Sequence, residues 1–220
     1  MDSERLPGKA LLDLGGRPLL GRVIERAKLI DAHLEIVVAT SERKIDDQIE
    51  NFAKAQKAAV FRGSLEDVRA RAIMCCDHYG FSRFGRICGD SPLLLKDVWR
   101  RAINLSKSSD YDLITNTFPR SFPIGMSVEV FSIEALKKSA EVDGSAHASE
   151  HIGSSFYSNP TSFKIKNIVC SEGDFSKTRA VVDTREDADI VDRFLRDYDG
   201  QFDGMSITEI DCSLKTFYPL

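Results

Sequence analysis

Arg5 and Lys9 flank a Pro7-Gly8 bend near the start of the chain. Pro7 fixes its own φ and Gly8 accepts a backbone conformation that a side chain forbids, so the bend can aim a guanidinium and an ammonium at one point. Converging cations suit a polyphosphate, which takes several charged donors at once. Read alone, the stretch is equally a basic surface loop ahead of a helix. Two acidic features add to it. Asp90 follows Gly89 at the end of the run Phe84 to Cys88, and Asp183 follows Ala180 to Val182. Pro92 stops continuation of a strand, so the Asp90 carboxylate belongs at the rim of a sheet. Each aspartate could instead cap a helix, at Asp-Ser-Pro in one case and ahead of Glu186 and Asp187 in the other. With Arg5 and Lys9, two strand-end carboxylates on one rim would form a site for a hard cation and a polyphosphate. Mg²⁺ is usually held by one or two carboxylates together with substrate phosphates.

The elements that must position these residues alternate along the chain. Pro18 to Ile30 reads as a helix with Leu19, Leu20, Val23, Ile24 and Ala27 on one face. Leu34 to Thr40 is a short buried strand, and Ser41 caps a helix running to about Gln56. Strand Ala58 to Phe61 ends in Arg62-Gly63-Ser64, and a helix follows from about Leu65 to His78. Strand Phe84 to Cys88, helix Lys96 to Leu105 and strand Leu113 to Thr115 complete an alternating half. Such alternation predicts a doubly wound α/β sheet, mostly parallel with helices on both faces, whose ligands sit beyond the strands' carboxyl ends. After Phe118 the pattern changes: Met126 to Phe131, Phe163 to Val169 and Ala180 to Val182 read as strands and Arg185 to Asp197 as a helix. A single domain over 1–220 is expected, with a half at about 1–117 and a second at about 118–220.

Composition excludes several classes. A formal net charge of -4 argues against a nucleic-acid binder held by phosphate attraction. No apolar run approaches the roughly 20 residues of a membrane span, and no signal-peptide core is present, so a cytoplasmic location is expected. The five cysteines include adjacent Cys75 and Cys76 in a helical pattern and no Cys-x-x-Cys, which favours thiols over a disulfide framework. The four histidines have no ligand spacing with them that would make a zinc site.

Taken in order, the motifs resemble those of the CMP-sugar synthetases, the acylneuraminate and 3-deoxy-manno-octulosonate cytidylyltransferases, and most of all the spore-coat polysaccharide biosynthesis proteins of that superfamily. The resemblance rests on Arg5-Leu6-Pro7-Gly8-Lys9 with Gly15-Gly16-Arg17-Pro18-Leu19-Leu20, and on Phe61-Arg62-Gly63-Ser64-Leu65-Glu66-Asp67-Val68. It continues through Gly89-Asp90-Ser91-Pro92-Leu93, Pro123 to Phe131, Ser149-Glu150-His151-Ile152 and Val182 to Asp187. Each piece is weak; the ordered set spans nearly the whole chain and is specific. It implies a glycosyltransferase-A-like nucleotidyltransferase fold that moves a cytidylyl group from CTP to a sugar and releases pyrophosphate. Arg5, Gly8 and Lys9 would hold the triphosphate, with Lys9 also catalytic. Arg62, Gly63 and Ser64 would lie near the base, and Asp90 and Asp183 would be catalytic ligands of Mg²⁺. The chemistry suits that division, because transfer at phosphorus needs mainly alignment and charge neutralisation.

The segment from Asn116 to Glu129 would form the sugar side of the cleft, with Asn116, Pro123, Gly125 and Glu129 as substrate contacts. Glu129, between Val128 and Val130, fits sugar binding and an internal ion pair equally well. Arg120 could pair with a sugar carboxylate or simply be solvated, and Glu150 and His151 read more readily as helix-packing residues. Homodimerisation is a further expectation. Family members open with a hydrophobic strand ending in a phosphate-contacting turn, and this sequence starts where that turn would end. The first strand is therefore expected to be missing from this sequence, and an upstream extension of the reading frame to restore it. A non-catalytic nucleotide- or sugar-binding homologue stays open as an alternative. So does a glycosyltransferase, although the Asp-x-Asp present, Asp187-Ala188-Asp189, falls inside a predicted helix.

Overall fold

The computed structural model describes residues 5–217. The turn expected at the very start of the chain, and the strand expected ahead of it, lie outside these residues. Among them the chain forms a short hairpin, a parallel strand pair and a four-stranded sheet, with helices packed around them. The hairpin joins β1 (Asp13–Leu14) to β2 (Arg17–Pro18) and leads directly into α1 (Leu19–Lys28). β3 (Val37–Ser41) and β4 (Ala59–Gly63) pair in parallel around α2 (Asp47–Ala55). α3 (Val68–Tyr79) then leads to β5 (Arg83–Gly85), and α4 (Lys96–Ser108) leads to β6 (Leu113–Thr115).

The larger sheet has the order β5, β7 (Glu129–Ser132), β6, β8 (Ile165–Asn167). β7 runs antiparallel to both neighbours, whereas β6 and β8 are parallel. The parallel pairs β3–β4 and β6–β8 are as expected, and β7 enters as a reversed strand between β5 and β6. The chain returns between β6 and β7 through a loop, without a crossover helix, and a strand reached that way enters reversed. α5 (Ile133–Val142), α6 (Ala146–Glu150) and α7 (Ser154–Ser158) follow, and α8 (Arg185–Tyr198) and α9 (Ile207–Phe217) close the described chain.

Several boundaries differ from the sequence expectation for local reasons. α3 starts at Val68 because Asp67 caps it, accepting the Ala70 amide at 2.7 Å. Ser41 caps no helix: its hydroxyl bonds Asp46, and a single 3₁₀ turn separates it from α2. Ala180 to Val182 is extended but belongs to no ladder; Ala180 donates to the Ile124 carbonyl at 2.7 Å, and Ile124 donates to the Thr178 carbonyl at 2.8 Å.

The apolar face read from α1 is buried as expected, with Leu19, Leu20, Val23, Ile24 and Ala27 all under 10 % exposed. Leu19, Val23 and Ala27 join Trp99, Ile114, Val128, Phe194 and Leu214 in the main core, which fixes α1, α4, α8 and α9 against the strands. A second cluster, including Phe131, Leu136, Phe156 and Phe163, packs α5 and α7 on the opposite side. Leu20, Ile24, Ile49 and Ala53 seat α1 and α2 together. These packed layers hold the loops after β5, before α8 and before β1 in fixed relation, and the candidate site lies where those loops meet.

Candidate functional site

The Leu6–Lys9 turn is closed by the Lys9 amide donating to the Leu6 carbonyl at 3.2 Å. Pro7 occupies its second position and Gly8 its third, with φ 73° and ψ 5°, the values a type II turn needs there and glycine adopts without strain. The turn delivers the Lys9 ammonium to three oxygens. They are Asp90 Oδ2 at 2.9 Å, Asp183 Oδ1 at 3.0 Å and the Val182 carbonyl at 3.1 Å. Residues 81 and 174 positions apart in the sequence thus converge on one nitrogen. Arg5 Nη2 lies 3.4 Å from Asp183 Oδ1, so the two cations of the bend reach the same carboxylate. Burial disfavours the charge on Lys9, but hydrogen bonds to Asp90 and Asp183 and their negative charge outweigh it. The ammonium is held above its ordinary pKa.

Asp90 and Asp183 are not helix caps. No helix begins until Lys96 after the first, and Thr184 caps α8 after the second. The Thr184 hydroxyl accepts the Asp187 amide, and the Asp187 carboxylate reaches back to the amides of Thr184 at 3.0 Å and Asp183 at 3.1 Å. This capping box leaves the Asp183 side chain free of the helix end and turned to Lys9. Arg179 grips Asp187 through Nε at 2.9 Å and Nη2 at 2.8 Å. Burial alone would raise the Asp187 pKa, but Arg179 and the two amides keep it below the usual carboxylate range. The two aspartate segments are also joined directly, since the Val182 amide donates to the Asp90 carbonyl at 2.9 Å.

Gly125 ties the same segment down from the other side. It has φ 97°, and a Cβ there would lie 2.6 Å from Ala180 C and Val181 N. Only glycine lets the two backbones approach so closely in that conformation. Gly125 therefore positions the segment that carries Asp183, where the sequence reading made it a sugar contact. Pro123 belongs to the same tie, its carbonyl accepting the Met126 amide at 3.1 Å.

Other expected site residues are committed elsewhere. Arg62 spends its guanidinium on Asp47, on Glu50 and on the carbonyls of Ser41 and Arg43, so it fastens β4 to α2. Gly63 is buried in the β3–β4 pair opposite Ser41. Ser64 accepts the Asp67 amide at 3.0 Å ahead of α3. Asn116 is fully buried; its amide donates to the Met126 carbonyl at 2.9 Å and accepts from the Val128 amide at 2.8 Å, bracing the loop between β6 and β7. Glu129 forms the internal ion pair, 2.9 Å from Arg86 Nη1, and also accepts the Tyr157 hydroxyl at 2.6 Å. Both side chains are buried, Asn116 at 0% and Glu129 at 5% exposure, and both are engaged by partners within the protein.

Arg179, Asp187, Arg86 and Tyr157 were missed by the sequence reading. For Asp187 a signal existed, because Thr184-x-x-Asp187 opens a helix; Arg179, Arg86 and Tyr157 find their partners through tertiary folding alone. Arg120 donates to the Ser127 hydroxyl at 3.1 Å and to the Pro123 carbonyl at 3.4 Å. Its pKa is lowered by burial, which the more distant charge of Glu129 only partly offsets.

The donor set bears on the cation expected from the sequence. Two carboxylates and a main-chain carbonyl, all hard oxygens, meet at one point already holding a positive charge. Among the described residues no group of three or more His, Cys, Asp or Glu is gathered for a metal. Such a pair fits Mg²⁺ that draws its remaining ligands from substrate phosphates and water, and would not make a closed structural site.

The fold is that of nucleotidyltransferases of the nucleotide-diphospho-sugar transferase type, and at one rim of it Lys9 meets Asp90 and Asp183. The chain belongs to the cytidylyltransferase family, whose model matches residues 1–210. A cytidylyltransferase structure from Leptospira borgpetersenii superposes with a TM-score of 0.89 at 30% identity, covering 97% of this chain and 90% of that one. The spore coat polysaccharide biosynthesis protein SpsF of Bacillus subtilis is 29% identical over 196 residues, 85% of this chain and 79% of SpsF. The 3-deoxy-manno-octulosonate cytidylyltransferase of Aeromonas salmonicida is 29% identical over 149 residues, 66% of this chain. The match spans only 56% of that relative's length. No helix among the described residues is long and apolar enough to cross a membrane.

Proposed function

We propose that the protein transfers a cytidylyl group from CTP to a sugar hydroxyl, releasing pyrophosphate, in the supply of CMP-sugars for a surface or spore-coat polysaccharide. The observation that carries this reading is the convergence of Lys9 on Asp90 and Asp183 at 2.9 and 3.0 Å. In the reaction a sugar oxygen attacks the α-phosphorus and charge gathers on the departing pyrophosphate. Lys9 and Arg5 bind the triphosphate and offset that charge, and the Leu6–Lys9 turn keeps both aimed at it. Asp90 and Asp183 would hold Mg²⁺, which when bound supplies further charge neutralisation at the phosphates. Arg179 and Asp187 keep the Asp183 amide in place, so the carboxylate is set before substrate arrives. Arg120, half-buried and, among the described residues, hydrogen-bonded to the neutral Ser127 hydroxyl and Pro123 carbonyl, suits a carboxylate on the sugar.

The experiment is a pyrophosphate-release screen of the four nucleoside triphosphates with Mg²⁺ against acidic and neutral sugars. Turnover with CTP and an acidic sugar is expected. Turnover with UTP or dTTP and never CTP would overturn the cytidylyl assignment and leave the nucleotidyltransferase class intact. A protein that binds CTP and turns over nothing would favour the non-catalytic alternative.

A further inference from the structure

The Lys9 ammonium occupies the shared space between the two aspartates. Its three bonds, to Asp90, Asp183 and the Val182 carbonyl, use all three of its protons. The same oxygens are the hard donors that a small divalent cation takes. One cradle is offered to two cations, and they cannot hold it together. Lys9 is well placed to be the resident one, since its side chain is 19% exposed and leaving the carboxylates would strand a half-buried charge. The neighbouring arginines do not fill this space. Among the described residues Arg5 pairs with Asp183 and is 66% exposed, and Arg179 lies 3.7 Å from Asp183 while gripping Asp187.

We propose that Lys9 is a built-in counter-ion that holds the metal position of the free protein closed, and that a divalent cation enters when a triphosphate supplies new acceptors for the ammonium. The inference rests on the reading of Asp90 and Asp183 as the metal-binding pair. Lys9 sits on a flexible four-carbon stem beside the Gly8 turn, so its head can leave the carboxylates without movement of the sheet. Phosphate oxygens would accept hydrogen bonds from the still-charged ammonium as it leaves, and the two aspartates are then free for the cation. Nucleotide and metal therefore bind cooperatively, each raising the affinity of the other by the same factor. The free protein keeps the pair neutralised and takes up metal weakly.

The test is a Mn²⁺ titration of the full chain without nucleotide, read by electron paramagnetic resonance. Wild type is compared with Lys9→Met, Arg5→Met and the double variant Lys9→Met/Asp183→Asn. Lys9→Met should bind one Mn²⁺ at least ~10-fold more tightly than wild type, the double variant should lose that gain, and Arg5→Met should change little. Equal affinity of Lys9→Met and wild type overturns the proposal. So does an equal gain in Arg5→Met, which would make the effect one of net charge only. A second readout needs no variant: saturating Mn²⁺ alone should raise acylation of Lys9, measured by mass spectrometry against exposed Lys28, and unchanged labelling overturns the proposal. Mn²⁺ binding in the presence of CTP separates the two ways of failing. If Asp90→Asn and Asp183→Asn weaken it while Lys9→Met shows no gain without nucleotide, the counter-ion role alone falls. If neither aspartate matters, the metal assignment falls and takes the proposal with it.

Discussion

Replacing Asp187 with Asn keeps its shape and removes the charge that holds the segment carrying Asp183. The carboxylate accepts Arg179 at 2.9 and 2.8 Å and the amides of Asp183 and Thr184 at 3.1 and 3.0 Å. Hydrogen bonds to a charged group contribute about 1.5–3 kcal/mol each. They do not add here, because an Asn oxygen still accepts an amide and the Arg179 side chain is 36% exposed, which screens its share. A net loss of about 2–3 kcal/mol follows. For a chain of this size each kcal/mol shifts the midpoint by about 2–4 °C, so melting should fall by about 4–12 °C at neutral pH. The pH dependence has a definite sign. Asp187 is held below its unfolded pKa of about 3.9, so its stabilisation is complete above that value and is lost as pH falls through the folded one. The gap between wild type and variant should therefore be full at pH 7 and close as both are taken well below about pH 4. Thermal melts across that range are the assay. A gap below about 1 °C at pH 7, or one equally wide in acid, would refute the assignment of the stabilisation to an ionised Asp187.

Three further outcomes are expected. Gly125→Ala places a Cβ 2.6 Å from the backbone at Ala180 and Val181, and should lower both the melting temperature and turnover; an unchanged protein would show that this close approach does not position Asp183. Arg62→Ala should lower the melting temperature by loosening α2 and leave CTP affinity unchanged, whereas a large loss of CTP affinity with an unchanged melt would return Arg62 to the nucleotide site. Glu129→Gln leaves the Arg86 guanidinium without its counter-charge and should cost about 2–4 kcal/mol by denaturant titration, and a neutral effect would mean that Arg86 is already well solvated.

What could be read in advance divides by the range of the interactions. The α/β class followed from local alternation, and the apolar face of α1 was legible at helical spacing. Lys9 could be placed beside a bend because Pro7 and Gly8 mark it, but the strand ends expected just before Asp90 and Asp183 do not form: β5 stops at Gly85, and Ala180 to Val182 joins no ladder. What they share was not legible: that one ammonium touches both carboxylates depends on the packing of α1, α4 and α8 around the strands. The residues that the structure engages in other contacts share a cause. Arg62 finds Asp47 and Glu50 on a helix it follows, and Glu129 finds Arg86 on the chain segment running beside β7, partners that no local pattern announces. Asn116 looked like a loop amide at a sheet rim, yet its loop folds back so that the amide is spent on its own backbone. The reversal of β7 within the larger sheet was not legible for a similar reason, since strand periodicity carries no information on polarity.

The most direct test of the account is Mg²⁺-dependent pyrophosphate release from CTP by Asp90→Asn and Asp183→Asn, measured beside the wild type with the best sugar from the screen. Each variant keeps the shape of the side chain and removes the charge that Lys9 neutralises and that the proposed Mg²⁺ site requires. Loss of several kcal/mol of transition-state stabilisation corresponds to a fall in rate of about a hundredfold or more. The account predicts that fall in both variants, with melting temperatures showing that the fold is kept. Near-normal rates in both, with folding intact, would contradict it.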